Sequence, residues 1–174
     1  MAGWFCGLTR TLTGSATRTI ASRLDPAAAA KAGVISVVAY TAVMELDRWL
    51  TGSRIDDLIL LGRPVVPSRP DLARPVGAAL HLANGAVIGL AYAALAHDRL
   101  PGPAWVRGVA ALMTENLALY PLMILGRRYH PAIRDGQLDD YWTWPAFAES
   151  LPPHVVYGAL VGPLYDHFRT CRPA

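Results

Sequence analysis

The sequence predicts an all-α fold, a four-transmembrane-helix bundle built from two duplicated helical hairpins and preceded by an amphipathic surface helix. Three observations carry that expectation. The 174 residues are 53% hydrophobic with only 17% charged, short of the quarter usual in soluble domains. Residues 75–96 run without a formal charge, long enough to cross a bilayer core. Finally, a stripe of His, two Gly and Tyr occurs twice in the same spacing.

The first 26 residues form a segment of their own. Trp4, Leu8, Leu12 and Ile20 fall four or eight apart among Arg10, Arg18, Arg23 and many Ser and Thr, with no acid before Asp25. This spacing predicts a helix lying on the membrane surface. Residues 27–174 then form the membrane domain, with spans at about 27–50, 75–96, 104–126 and 145–168. Trp49, Trp105, Trp142, Trp144, Tyr165 and Phe168 stand at span ends, where interfacial aromatic belts sit. The fourth span contains Pro152 and Pro153, so a break or a helix start is expected there, with Ser150 placed to cap it.

Four spans put both termini on one side. Lys and Arg divide evenly between the two sides, and the acids of the 51–74 and 127–144 connections make the opposite side more negative, so the termini are assigned to the cytoplasm. Asp56, Asp57, Asp139 and Asp140 in those connections read as solvated surface acids. Cys6 and Cys171, at the two extremes, read as free thiols rather than a disulfide framework. The net charge of +3 is scattered, without the basic block that nucleic-acid binding requires.

The duplication aligns His81, Gly85, Ala86, Gly89 and Tyr92 with His154, Gly158, Ala159, Gly162 and Tyr165, both as H-x3-G-A-x2-G-x2-Y. Steps of four, eight and eleven place these residues on one helical face. Glycines four apart let helices approach closely in lipid. Pairing the second span with the fourth through Gly85/Gly89 and Gly158/Gly162 predicts a pseudo-two-fold axis along the membrane normal, with His81 and His154 meeting near it. Ionisable groups inside a membrane point to function by default.

Three acids join the histidines: Glu45, Glu115 and Glu149. Glu45 precedes His81 as Glu115 precedes His154, giving each hairpin one Glu and one His. These five side chains form the candidate ligand-binding set, with the cofactor open among none, a divalent metal on the Glu and His side chains, and haem on the two histidines. No phosphate loop, dinucleotide fingerprint, zinc-protease motif or nucleophile elbow is present, so the chemistry leans away from an enzyme. The leading expectation is a binding or accessory membrane protein whose partners are the bilayer and either other membrane subunits or further copies of itself. A small ion- or proton-coupled transporter or channel and a metal- or haem-binding redox protein are the rivals.

Tyr120-Pro121-Leu122-Met123, Trp144-Pro145, Glu149, His154, Val156 and Tyr157 resemble the YagU-like family of small bacterial inner-membrane proteins over roughly the second half of the chain. The resemblance implies a multi-pass inner-membrane protein and four helices, and brings no established reaction.

Overall fold

The structure, a computed structural model, describes residues 24–170. The expected N-terminal surface helix and both cysteines lie outside the described residues. Seven helices follow in order: α1 (Pro26–Thr51), α2 (Asp57–Gly62), α3 (Ala73–Leu95), α4 (Ala104–Leu119), α5 (Met123–Tyr129), α6 (Pro131–Arg134) and α7 (Trp144–Thr170), with 3-10 turns at Pro70–Leu72 and Tyr120–Leu122. Among the described residues there is no strand.

The first long helix has local causes at both ends. The Asp25 carboxylate accepts hydrogen bonds from the amides of Ala27 and Ala28 at 3.1 Å each, Pro26 opens α1, and Gly52 closes it at φ 73°, in the left-handed region that glycine enters without strain. Three segments are long and apolar enough to cross a membrane: Pro26–Thr51, Pro70–Leu95 and Ala104–Tyr129. At 26 residues each, they reach about 39 Å if fully helical, against the ~30 Å of a hydrocarbon core. Outward-facing Val38, Val87, Leu117 and Ile124 give them apolar surfaces suited to lipid.

α7 matches them in length but not in apolarity, because it carries Glu149, His154, Asp166, His167 and Arg169. It is also unbroken, contrary to the interruption expected at Pro152 and Pro153. Two successive prolines share the helical φ and free only the carbonyls of two consecutive residues. Ser150 does not start a helix there. Its hydroxyl donates to the Phe147 carbonyl at 2.7 Å within the continuing helix.

The glycine ridges pair differently from the sequence expectation. α1 packs on both α3 and α7, and α7 on α4, whereas α3 and α7 meet only slightly. A Cβ on Gly33 would sit 2.0 Å from the Gly85 carbonyl oxygen, and one on Gly89 2.4 Å from that of Ala29. In the second hairpin a Cβ on Gly108 would sit 1.9 Å from the Gly158 oxygen, and one on Gly162 2.1 Å from that of Ala104. Each ridge therefore faces the preceding long helix of its own hairpin. The reason is that Ala29/Gly33 and Ala104/Gly108 are themselves small residues four apart, supplying matching grooves beside the ridges. The expected two-fold axis fails as well, since the α1–α7 seam has no counterpart between α3 and α4.

The connections expected to be solvated loops instead build a cap on the end of the bundle away from the termini. Ile59, Ala73, Ala132, Leu138 and Tyr141 form a second apolar cluster there. A Cβ on Gly77 would meet the Leu58 carbonyl oxygen at 1.6 Å, showing how closely α2 lies on α3. Asp56, expected at the surface, has no exposure at all. It caps α2 through the amides of Leu58 (2.9 Å) and Ile59 (3.2 Å), while its second oxygen lies 3.1 Å from both Arg48 and Arg74. The arginines arriving from α1 and α3 offset the desolvation that burial imposes on this carboxylate. Asp139 fits the surface reading better, half-exposed and paired with Arg54.

Candidate functional site

A cavity of about 280 Å³ lies among α1, α3, α4 and α7 under the cap. Its walls are mostly apolar, but His81 and Asn84 of α3, Glu115 and Asn116 of α4, Glu149, Ser150 and His154 of α7, Tyr40 of α1 and Asp57 of the cap also reach it. Among the described residues, no Lys or Arg lines it.

Tyr40 stands at the centre. Its ring meets the His81 ring edge-on at 5.3 Å and 64° and the His154 ring at 5.1 Å and 80°. The two histidines therefore reach one cavity from different helices, each against the Tyr40 ring. Helix α1, packed on both α3 and α7, inserts that ring. The Tyr40 hydroxyl donates to Asp57 Oδ2 at 2.7 Å, and Tyr141 donates to Asp57 Oδ1 at 3.3 Å while accepting from the Asp56 amide at 2.7 Å. Burial pushes the Tyr141 hydroxyl well above its ordinary range, so it serves as a neutral donor.

The two histidines differ in state. His154 Nδ1 lies 2.7 Å from the Ser150 carbonyl, which can only accept, so Nδ1 carries a proton. Its Nε2 lies 3.5 Å from Glu115 Oε2. His81 is 7% exposed and, among the described residues, neither ring nitrogen has a hydrogen-bond partner. A buried polar group left unpartnered costs about 1–3 kcal/mol.

Of the five side chains singled out from the sequence, four line the cavity and Glu45 does not. Glu45 is taken by Arg48, one turn on at 3.1 Å, and by Arg74, which also donates to it. Glu149 accepts a hydrogen bond from Ser53 at 2.6 Å. Among the described residues, no group of three or more His, Cys, Asp or Glu is placed to hold a metal ion.

Sequence reasoning missed Tyr40, Asp57, Asn116 and Tyr157. The Tyr157 hydroxyl donates to the Gly85 carbonyl at 2.8 Å, and Asn116 donates to the Ser150 hydroxyl at 3.0 Å, tying α7 to α3 and to α4. A signal did exist for Tyr40, a single aromatic phenol within the α1 run, but nothing in its spacing links it to the histidines.

At the opposite end the repeat's tyrosines mirror this arrangement. His97, with no exposure, lies between the rings of Tyr92 (5.5 Å) and Tyr165 (4.8 Å). Its Nε2 donates to Asp166 Oδ1 at 3.1 Å, and its Nδ1 accepts from the Tyr92 hydroxyl at 3.1 Å. Burial lowers the His97 pKa, against the opposing pull of Asp166 and with Arg107 and Arg169 adding to the lowering. A depressed histidine contributes stability that is fully present above its unfolded value of about 6.5 and is lost as pH falls through the folded value. Thermal unfolding in detergent should therefore shift to lower temperature as pH drops below about 6.5. His97→Asn should flatten part of that slope, with the remainder falling to His130, which burial lowers in the same sense. An unchanged slope in the variant would contradict the assignment.

No curated protein and no solved structure matches the chain. Residues 24–173, which include every side chain of the cavity and of the His97 cluster, match the model of a family of unknown function, and the chain thus belongs to that family, DUF6789.

Proposed function

We propose that this chain is an integral membrane protein that binds a small molecule in the cavity around His81 and His154, as a non-enzymatic binding or accessory subunit. The observation that carries the reading is His81, buried against the cavity with both ring nitrogens unpartnered among the described residues. Native proteins rarely leave such groups unsatisfied, and a bound molecule supplying a donor and an acceptor would satisfy both. The matched Gly33/Gly85 and Gly108/Gly158 contacts support a hairpin duplicated and then docked asymmetrically. The YagU-like pattern from Tyr120 to Tyr157 supports a bacterial inner-membrane address, and the acids of the 51–74 and 127–144 connections support termini in the cytoplasm. The test is solvent extraction of protein purified in lipid nanodiscs. A compound should accompany the wild type, be lost in His81→Phe, and lower the melting temperature when stripped away. A clean extract with unchanged melting would remove the proposal.

One observation favours proton or ion transfer as a second reading. His154 Nε2 and Glu115 Oε2, 3.5 Å apart, place an imidazole and a carboxyl side by side within the apolar part of the bundle and against the same cavity. In proteoliposomes, Glu115→Gln and His154→Asn should each abolish a pH-gradient-dependent flux. No flux in the wild type would leave the pair a structural one.

A further inference from the structure

The cavity lies between the cap at one end of the bundle and an aromatic cluster at the other, and its least packed wall is at its side. At one end the cap covers it, with Asp57 tied to Tyr40 and Tyr141. At the other, the rings of Tyr92, His97 and Tyr165 pack together, anchored by Asp166. Laterally, α1 seals the joints to α3 and α7, and α7 seals the joint to α4, but α3 and α4 form no comparable seam. Asn84 and Ile88 of α3 and Leu112, Glu115 and Leu119 of α4 border the cavity along that gap. Val87 and Leu117, exposed on the same two helices, present hydrocarbon to the surroundings. A molecule dissolved in the bilayer faces this side.

The lining also selects the polar head. Asp57, Glu115 and Glu149 reach the cavity and, among the described residues, no Lys or Arg does, so the lining holds no fixed cation to draw in an anionic headgroup. A neutral imidazole at His81 offers one donor and one acceptor, and Glu115 Oε2 offers a further acceptor with no hydrogen bond of its own. A hydroxyl, donor and acceptor at once, answers this set. Building on the reading of the cavity as a binding site, we infer that it takes a hydroxyl-bearing amphiphile, an alcohol or phenol with an apolar tail, directly from the bilayer through the gap between α3 and α4, its hydroxyl meeting His81.

The experiment uses the full chain in nanodiscs and a dodecanol carrying a diazirine in its tail, with labelled residues mapped by peptide mass spectrometry. Labelling should fall on the Asn84–Ile88 and Leu112–Leu119 stretches. It should be competed by dodecanol but not by dodecanoate at alkaline pH, where the acid is ionised, and should drop at least about tenfold in His81→Phe, the loss expected for one hydrogen-bonded contact. Equal competition by dodecanoate would overturn the hydroxyl head. Labelling confined to the cap would overturn lateral entry. If the gap stays unlabelled while a compound still co-purifies in a His81-dependent manner, the amphiphile is wrong and the binding site stands. Absence of both signals ends both readings. Ile88→Trp, which bulks the edge of the gap and spares His81, should slow uptake of the dodecanol tenfold; unchanged uptake would again count against lateral entry.

Discussion

Gly33→Leu and Gly108→Leu are each expected to unfold or grossly loosen the helical bundle, whereas Gly126→Ala leaves it as it was. A Cβ at Gly33 or Gly108 would lie 2.0 Å or 1.9 Å from a backbone oxygen of the facing helix, and a backbone cannot swing aside as a flexible side chain can. The helices would have to separate along their whole contact. Overpacking of this kind costs about 1–3 kcal/mol and sometimes more, and leucine adds three further carbons to the clash. At Gly126 the nearest atom is the end of the Ile133 side chain at 3.7 Å, an ordinary contact. Melting temperature and monodispersity in detergent measure the outcome. This comparison also separates two models of the bundle. If α3 packed on α7 through the glycine stripes, Gly33 and Gly108 would tolerate substitution and only Gly85, Gly89, Gly158 and Gly162 would not.

Replacing Asp56 by Ala should detach the cap. The carboxylate is fully buried, holds the first turn of α2 by two amide hydrogen bonds, and stands 3.1 Å from Arg48 and from Arg74. Removing one partner of a buried ionic cluster costs about 3–5 kcal/mol. Both arginines are partly exposed and can rehydrate, and Glu45 still pairs with them, so about 3 kcal/mol is the expected loss. Because Asp56 and Tyr141 are joined through the Asp56 amide, the strain should pass to the Asp57–Tyr40 contact at the cavity roof. Limited proteolysis reads this directly: cleavage within 51–74 and 127–144 should accelerate while the long helices stay protected. Equal protease resistance in the variant would show that the cap is held by its apolar cluster alone.

The failures of sequence reasoning share a cause. Periodicity placed the His81–Tyr92 and His154–Tyr165 stripes on helical faces, but a face does not name its partner. Ala29 and Gly33 carry no conspicuous signal in a run already rich in Ala, and they decided where the ridge went. Likewise Asp56 and Asp57 look like any loop acids until Arg48, Arg74, Tyr40 and Tyr141 arrive from distant parts of the chain. The continuity of α7 through Pro152 and Pro153 was hidden for a similar reason, since packing against α1 and α4 outweighs a local helix-breaking preference.

What the sequence determined by itself is the apolar helical character of the chain, the approximate limits of its long helices and the chemical types available inside it, because these depend on composition and spacing along one strand of backbone. Tertiary structure alone decided that the histidines share Tyr40, that Glu45 turns away to arginines and that α3 and α4 stand apart. Those outcomes depend on which small residues lie opposite each other when helices come within a few ångströms, a relation between distant segments that local periodicity does not encode.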